Sequence, residues 1–252
     1  MANLHYERYG KGIPIVCIHG FPLDHTIWSP WIPFIEDQAQ IITPDLRGYG
    51  RSDCTEYPTS MNEMAEDIFE LIDFLEISQM CLIGQSMGGY VALQFAHLYP
   101  DRVNGLMLVA SHPYADSQQT REKRMQMIEK VRTVGVKETL QTFPEKLCAD
   151  APIQEYTRQI INKVGVESVV ASQMAMAGRV NNSDILTNAR FPTAIVVGDQ
   201  DQFVNAAMQE KMRTDLPNTD FKVIPDVGHM LMMEAPEKLT ASVVTLIEKI
   251  KE

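Results

Sequence analysis

Short apolar runs recur along the chain, each bounded by Gly, Pro or Asp: "IPIVCIHG" at 13–20, "QIITPD" at 40–45, "MCLIGQS" at 80–86, "NGLMLVAS" at 104–111, "TAIVVGD" at 193–199 and "DFKVIPD" at 220–226. Runs of this kind, without regular polar alternation, suit β-strands buried on both faces of a parallel sheet. Between them the period changes. "SMNEMAEDIFELIDFLEI" places Met61, Met64, Ala65, Ile68, Leu71, Ile72 and Leu75 on one helical stripe, with Ser60 and Glu63 spaced as a capping box. "MGGYVALQFAHLYP" reads as a helix stopped before Pro100, and "SVVTLIEKI" as a closing helix. Strand and helix alternate, so the expected class is α/β.

One segment breaks the rhythm. Residues 113–186 hold no clear strand but helical, Met- and charge-containing sequence such as "REKRMQMIEKVRTVG" and "EYTRQIINKVGVESVVASQMAMAGR". That is too long for a plain crossover between strands. The expectation is a core of residues 1–112 and 187–252, with 113–186 as a helical insertion over one end of the sheet. No internal repeat and no low-complexity tract is visible.

"LIGQSMGGYVAL" puts Ser86 between a buried strand and a helix with almost no loop, flanked by Gly84, Gly88 and Gly89. In that setting G-x-S-x-G has a mechanical meaning: glycines let strand and helix approach, and the serine is forced outward at the carboxyl end of the sheet. The helix N-terminus behind it favours developing negative charge. A loose loop would not have such strongly patterned flanks, so Ser86 is the expected nucleophile. A serine hydroxyl needs a base, and the base an orienting acid.

Six histidines compete for the role of base. His5 and His97 sit in strand-like and helical sequence, where structural roles are the better expectation. His19, His25 and His112 lie near strand ends, as pocket candidates. His229, after the last strand in "PDVGHMLMMEAPE", follows a glycine that lets its loop turn back to the sheet edge, and is the preferred base. For the acid, "AIVVGDQDQFV" offers Asp199 and Asp201.

Composition removes several classes. The 252 residues are 45% hydrophobic, ample for a packed core, and the net charge of −11 argues against nucleic acid or an anionic membrane as partner. No apolar run reaches the roughly 18 residues that span a bilayer, and "MANLHYERYG" lacks a secretory pattern. The four cysteines, Cys17, Cys54, Cys81 and Cys148, are dispersed without a CxxC pair, and HExxH-type spacing is absent. A reduced cytoplasmic setting, with no metal and no cofactor, is expected.

Five motifs in order, "HGFPLDHTIW", "DLRGYGRSD", "GQSMGG", "GDQD" and "GHMLMMEAPE", resemble the α/β-hydrolase superfamily over nearly the whole chain except the middle insertion. Within it the chain is similar to small esterases, oxoadipate enol-lactonases and cofactor-free haloperoxidases. The resemblance implies a mostly parallel sheet of seven or eight strands with helices on both faces, and makes residues 113–186 the lid. It implies an oxyanion hole from the backbone N–H groups of Phe21 and Met87. It also selects Asp201, three residues beyond Gly198, as the acid that orients His229, leaving Asp199 to cap the turn. "DLRGYGRSD" is expected to be structural, Arg47 bracing its loop.

Phe21, Leu23, Trp28, Met87, Met230 and the lid are the expected pocket walls. The lid methionines Met125, Met127, Met174 and Met176 are expected mainly as core filler. The implied activity is acyl transfer from small carboxylic esters, lactones or thioesters to Ser86 and then to water. A small-molecule ester is the expected partner, with no obligate protein partner. Perhydrolase, haloperoxidase or carbon–carbon hydrolase chemistry shares the same residues, and so does a triad-bearing ligand-binding signalling protein.

Overall fold

The computed structural model describes residues 3–54 and 59–252. Each apolar run forms a strand, and the segment around "YERY" adds one more. The strands are β1 (Tyr6–Tyr9), β2 (Ile13–Ile18), β3 (Ala39–Pro44), β4 (Met80–Gln85), β5 (Val103–Val109), β6 (Thr193–Gly198) and β7 (Asp220–Ile224). They form one seven-stranded sheet in the order β1-β3-β2-β4-β5-β6-β7. β1 runs antiparallel to β3, and every other neighbouring pair is parallel. Seven is the smaller of the two expected strand numbers.

Burial separates the middle of the sheet from its edge. All residues of β4 and β6 are buried, and consecutive residues of a strand face opposite sides, so both faces are covered there. β7 departs from the expectation of two buried faces. It exposes Asp220 and Lys222 in alternation, as fits a strand with a neighbour on one side only.

The helices are α1 (Met61–Phe74), α2 (Met87–Leu98), α3 (Gln118–Val134), α4 (Val136–Thr139), α5 (Pro144–Leu147), α6 (Ala151–Ile161), α7 (Val166–Gly178), α8 (Ser183–Thr187), α9 (Ala206–Asp215), α10 (Leu231–Glu234) and α11 (Pro236–Lys251). α1 carries the capping box read from the sequence. Ser60 Oγ accepts from Glu63 N–H, and the Glu63 carboxylate accepts from Ser60 N–H. Its buried stripe includes Asp67, which takes Arg47 in a two-point ion pair with contacts of 2.5 and 2.7 Å. Arg47 therefore ties the 45–53 loop to α1.

α3 to α8 fill the interval between β5 and β6 with helices alone, and α3 packs along α7. The chain leaves β2 toward β3 on one side, then returns to place β4 on the other. In parallel sheets such a reversal opens a crevice at the carboxyl ends of the two strands. Phe21 follows β2 and Ser86 follows β4, so that crevice lies between them.

Candidate active site

Ser86 occupies the single residue between β4 and α2, with φ 51° and ψ −115°. A non-glycine residue there costs of order 1–3 kcal/mol and persists only where its surroundings enforce it. The enforcement is visible. Ser86 N–H donates to Val109 O at 3.0 Å, while Ser86 O accepts from Gly89 N–H at 3.0 Å and Ser111 Oγ at 2.7 Å. A Cβ on Gly84 would stand 2.4 Å from Gly88 O, and one on Gly88 would stand 2.2 Å from Ile18 O. Only glycine allows α2, β4 and β2 to approach this closely. Of residues 80–89, Ser86 alone is not buried.

β6 and β7 deliver the other two groups. Asp201 sits in the loop after β6 and His229 in the loop after β7, with His229 Nδ1 2.8 Å from Asp201 Oδ2. The second carboxylate oxygen, Oδ1, accepts from Phe203 N–H at 2.8 Å and Val204 N–H at 3.0 Å. Burial alone would raise the Asp201 pKa. The His229 charge, its hydrogen bond and the two backbone donors reverse that and hold the carboxyl below its ordinary value. An ionised carboxylate only accepts hydrogen bonds, so His229 must carry its proton on Nδ1 and leave Nε2 free to accept. Asp199 is placed elsewhere: it is exposed, and its Oδ1 accepts from Asp226 N–H at 2.8 Å.

Sequence reasoning missed the group that shapes the histidine loop. Glu234, the last residue of α10, accepts from Gly228 N–H and Met230 N–H, both at 2.9 Å, and so clamps His229 from both sides. His229 N–H itself donates to Leu147 O at 2.7 Å. Glu234 stood in the quoted "GHMLMMEAPE", and its position four residues after Met230 was the available signal.

Phe21 and Met87 flank Ser86. Met87 is the first residue of α2, where backbone N–H groups lack helical acceptors. A Cβ on Gly20 would stand 2.9 Å from Ser86 Cβ, so the exit of β2 passes directly beside Ser86. Among the described residues, neither Phe21 N–H nor Met87 N–H has an acceptor.

Ser86 and His229 border one cavity of about 220 Å³, whose walls include Phe21, Tyr90, Met127, Phe143, Met176 and Phe203. Thr120, Lys123, Arg124 and Gln173 complete it. Three expected wall residues, Leu23, Trp28 and Met230, do not border this cavity, nor does Met87; all four side chains are fully buried. A short 3-10 helix, His25–Trp28, turns the Trp28 ring inward against Trp31, 5.8 Å between centroids. The four methionines of the 113–186 insertion divide. Met127 and Met176 line the cavity, whereas Met125 and Met174 point to solvent, 46% and 40% exposed.

His19, His25 and His112 are engaged elsewhere. His19 Nε2 accepts from Leu46 N–H at 2.9 Å, and burial lowers its pKa. His25 Nδ1 lies 2.7 Å from Asp45 Oδ1. His112 Nε2 bonds Tyr90 OH at 3.2 Å, and burial with the Arg179 charge pushes its pKa down to about 3. His5, Glu7 and His25, and likewise Asp24, His25 and Asp45, hold donor atoms within 4.8 Å of one another. Asp45 and His25 already satisfy each other there, and Arg51 pairs with Glu7 at 2.5 Å.

A family described as alpha/beta hydrolase fold matches residues 13–137 and 145–236. The chain belongs to that family. A thermophilic esterase from Thermogutta terrifontis superposes with a TM-score of 0.92 at 35% identity, covering 99% of this chain and 94% of that one. The pimeloyl-[acyl-carrier protein] methyl ester esterase of Legionella pneumophila is 25% identical over 240 residues, covering 90% of this chain and 92% of its own. The dihydrolipoyllysine-residue acetyltransferase component of the acetoin cleaving system of Pseudomonas putida is 27% identical over 249 residues. The match covers 97% of this chain and only 66% of that protein. Among the described residues no helix is long and apolar enough to cross a membrane. The protein is an α/β hydrolase with esterase-like neighbours.

Proposed function

We propose that this hydrolase cleaves small carboxylic esters by acyl transfer to Ser86. The observation that carries the reading is one cavity bordered by a strained, partly exposed Ser86 and by a His229 whose tautomer Asp201 imposes. Ser86 Oγ attacks the ester carbonyl as His229 Nε2 takes its proton. The oxyanion lies between Phe21 N–H and Met87 N–H, and one such donor is worth about 2.7–4 kcal/mol. Collapse expels the alcohol, which takes the proton from His229. Water, deprotonated by His229, then attacks the acyl-serine and releases the acid. Asp201 stays ionised throughout.

The helical segment 113–186 acts in this reading as a lid, because Thr120, Met127, Phe143 and Met176 wall the cavity. The volume of about 220 Å³ would hold roughly seven waters at ~30 Å³ each, which suits short acyl groups. Hydrolysis of 4-nitrophenyl butyrate by the wild type, lost by on the order of 10⁶ in Ser86→Ala, is the expected result. A fluorophosphonate should label the wild type at Ser86 and leave the variant unmodified. Labelling without turnover of any short ester would favour a ligand-binding protein over an enzyme. Turnover in Ser86→Ala above a few per cent of wild type would remove Ser86 as nucleophile.

A further inference from the structure

α3 presents Thr120, Lys123, Arg124 and Met127 to the cavity, positions i, i+3, i+4 and i+7 of one helical face. The two acidic residues of the same helix, Glu122 and Glu129, are exposed and off that face. Among the described residues, no carboxylate borders the cavity. In a chain with 33 acidic against 22 basic residues, an active-site wall with two cations and no acid is against the trend.

The charges behind the wall do not cancel it. Arg124 Nε donates to Asp116 Oδ2 at 2.5 Å, and Nη2 donates to Asp116 Oδ1 at 3.4 Å. Arg124 Nη1 reaches Gln173 Oε1 at 3.0 Å and Met176 Sδ at 3.3 Å, which leaves one N–H of Nη2 for a ligand. Asp116 is shared with Arg179, 2.6 Å away, whose guanidinium lies 4.0 Å over the Tyr90 ring of the cavity wall. One carboxylate between two guanidinium groups leaves an excess positive charge. Lys123 adds a second: it is exposed at the cavity and enters none of the ion pairs among the described residues. Arg124 is held in place by its bonds, while Lys123 is an exposed charge at the rim.

We propose that this wall is a carboxylate-recognition subsite, and that the preferred substrates are half-esters of short dicarboxylic acids. The ester carbonyl meets Ser86, the intervening methylenes lie among Met127, Phe143 and Met176, and the free carboxylate meets Lys123 and Arg124. This rests on the esterase reading above. Cations lining a partly enclosed site concentrate anionic substrate there and oppose esters without the charge.

The test compares monomethyl adipate with methyl hexanoate, equal in carbon length and differing in the terminal carboxylate. Acid release is followed at 20 mM and 500 mM NaCl. The ratio of kcat/KM, half-ester over neutral ester, should be about tenfold for the wild type at low salt and shrink at high salt, where exposed charges are screened. It should fall about tenfold in Lys123→Ala and below one in Lys123→Glu, through KM rather than kcat. The same charge reversal at Lys222, on β7, should leave the ratio within twofold. A wild-type ratio at or below one, or a ratio untouched by Lys123→Glu, overturns the proposal while hydrolysis of methyl hexanoate keeps the esterase reading intact. Absence of turnover on both esters overturns both.

Discussion

Replacing Asp201 by Asn tests the role of the acid with little change of shape. Asp201 Oδ1 accepts two backbone N–H groups, from Phe203 and Val204, while Oδ2 faces His229 Nδ1. The amide of Asn has one acceptor end. Turning its NH2 toward Phe203 N–H and Val204 N–H would lose two hydrogen bonds and set donors against donors, at least ~2 kcal/mol in a buried loop. The oxygen therefore stays with the backbone, and the NH2 points at His229 Nδ1. That nitrogen must then accept, which moves the imidazole proton to Nε2 and blocks proton transfer from Ser86. The same tautomer error in a comparable triad costs about 10⁴ in kcat. We expect Asp201→Asn to lose at least about 10³ in kcat on 4-nitrophenyl butyrate, with an unchanged far-ultraviolet circular dichroism spectrum. Asp199→Asn keeps an oxygen for Asp226 N–H and should lose less than about tenfold, scaled from the same figure. Asp201→Asn within tenfold of wild type, or Asp199→Asn as the more damaged protein, would refute the reasoning.

Three further outcomes follow from the structure. Across 4-nitrophenyl esters, kcat/KM should peak between about C3 and C6 and fall at least tenfold by about C10, because the cavity of about 220 Å³ is filled first; a preference for long chains or emulsions would contradict it. His112, held near a pKa of 3 when folded, binds its proton more readily when unfolded, so it takes stability away as pH drops below about 6.5. Between pH 7 and pH 5 its share is about 2 kcal/mol, so His112→Gln should flatten the decline seen in urea denaturation by that amount, and an identical decline would exclude it. Gly88→Ala, whose Cβ would stand 2.2 Å from Ile18 O, should cost at least ~2 kcal/mol of stability and most activity, and an unchanged melting temperature would show that the elbow tolerates a side chain.

The strands and the Ser86 elbow were legible because their causes are local. "MCLIG" has no polar residue to interrupt burial, and of the three glycines around Ser86, Gly84 and Gly88 meet backbone that only glycine can approach while Gly89 meets the Ser111 side chain. The Ser60–Glu63 capping box is similarly a matter of two residues three apart. β7 was misjudged in one respect, since whether "DFKVI" has covers on both faces depends on its place at the sheet edge, which no short window contains.

The cavity was legible only at its floor. Phe21, Ser86 and His229 border it from the carboxyl ends of β2, β4 and β7, and their motifs mark them. Proximity in sequence to those motifs misled for Leu23, Trp28 and Met230. The first two follow "HGF" within eight residues, yet the chain turns there and packs them inward; Met230 adjoins His229, yet Glu234 fixes its backbone while its side chain enters the core. The roof comes from α3, the 140s and α7, brought together by packing between helices far apart in the chain. Period alone could have grouped Thr120, Lys123, Arg124 and Met127, but a stripe of that composition normally denotes a solvated helix face. What changes its meaning is the Ser86 hydroxyl on the far side of the gap, and only the folded chain puts it there.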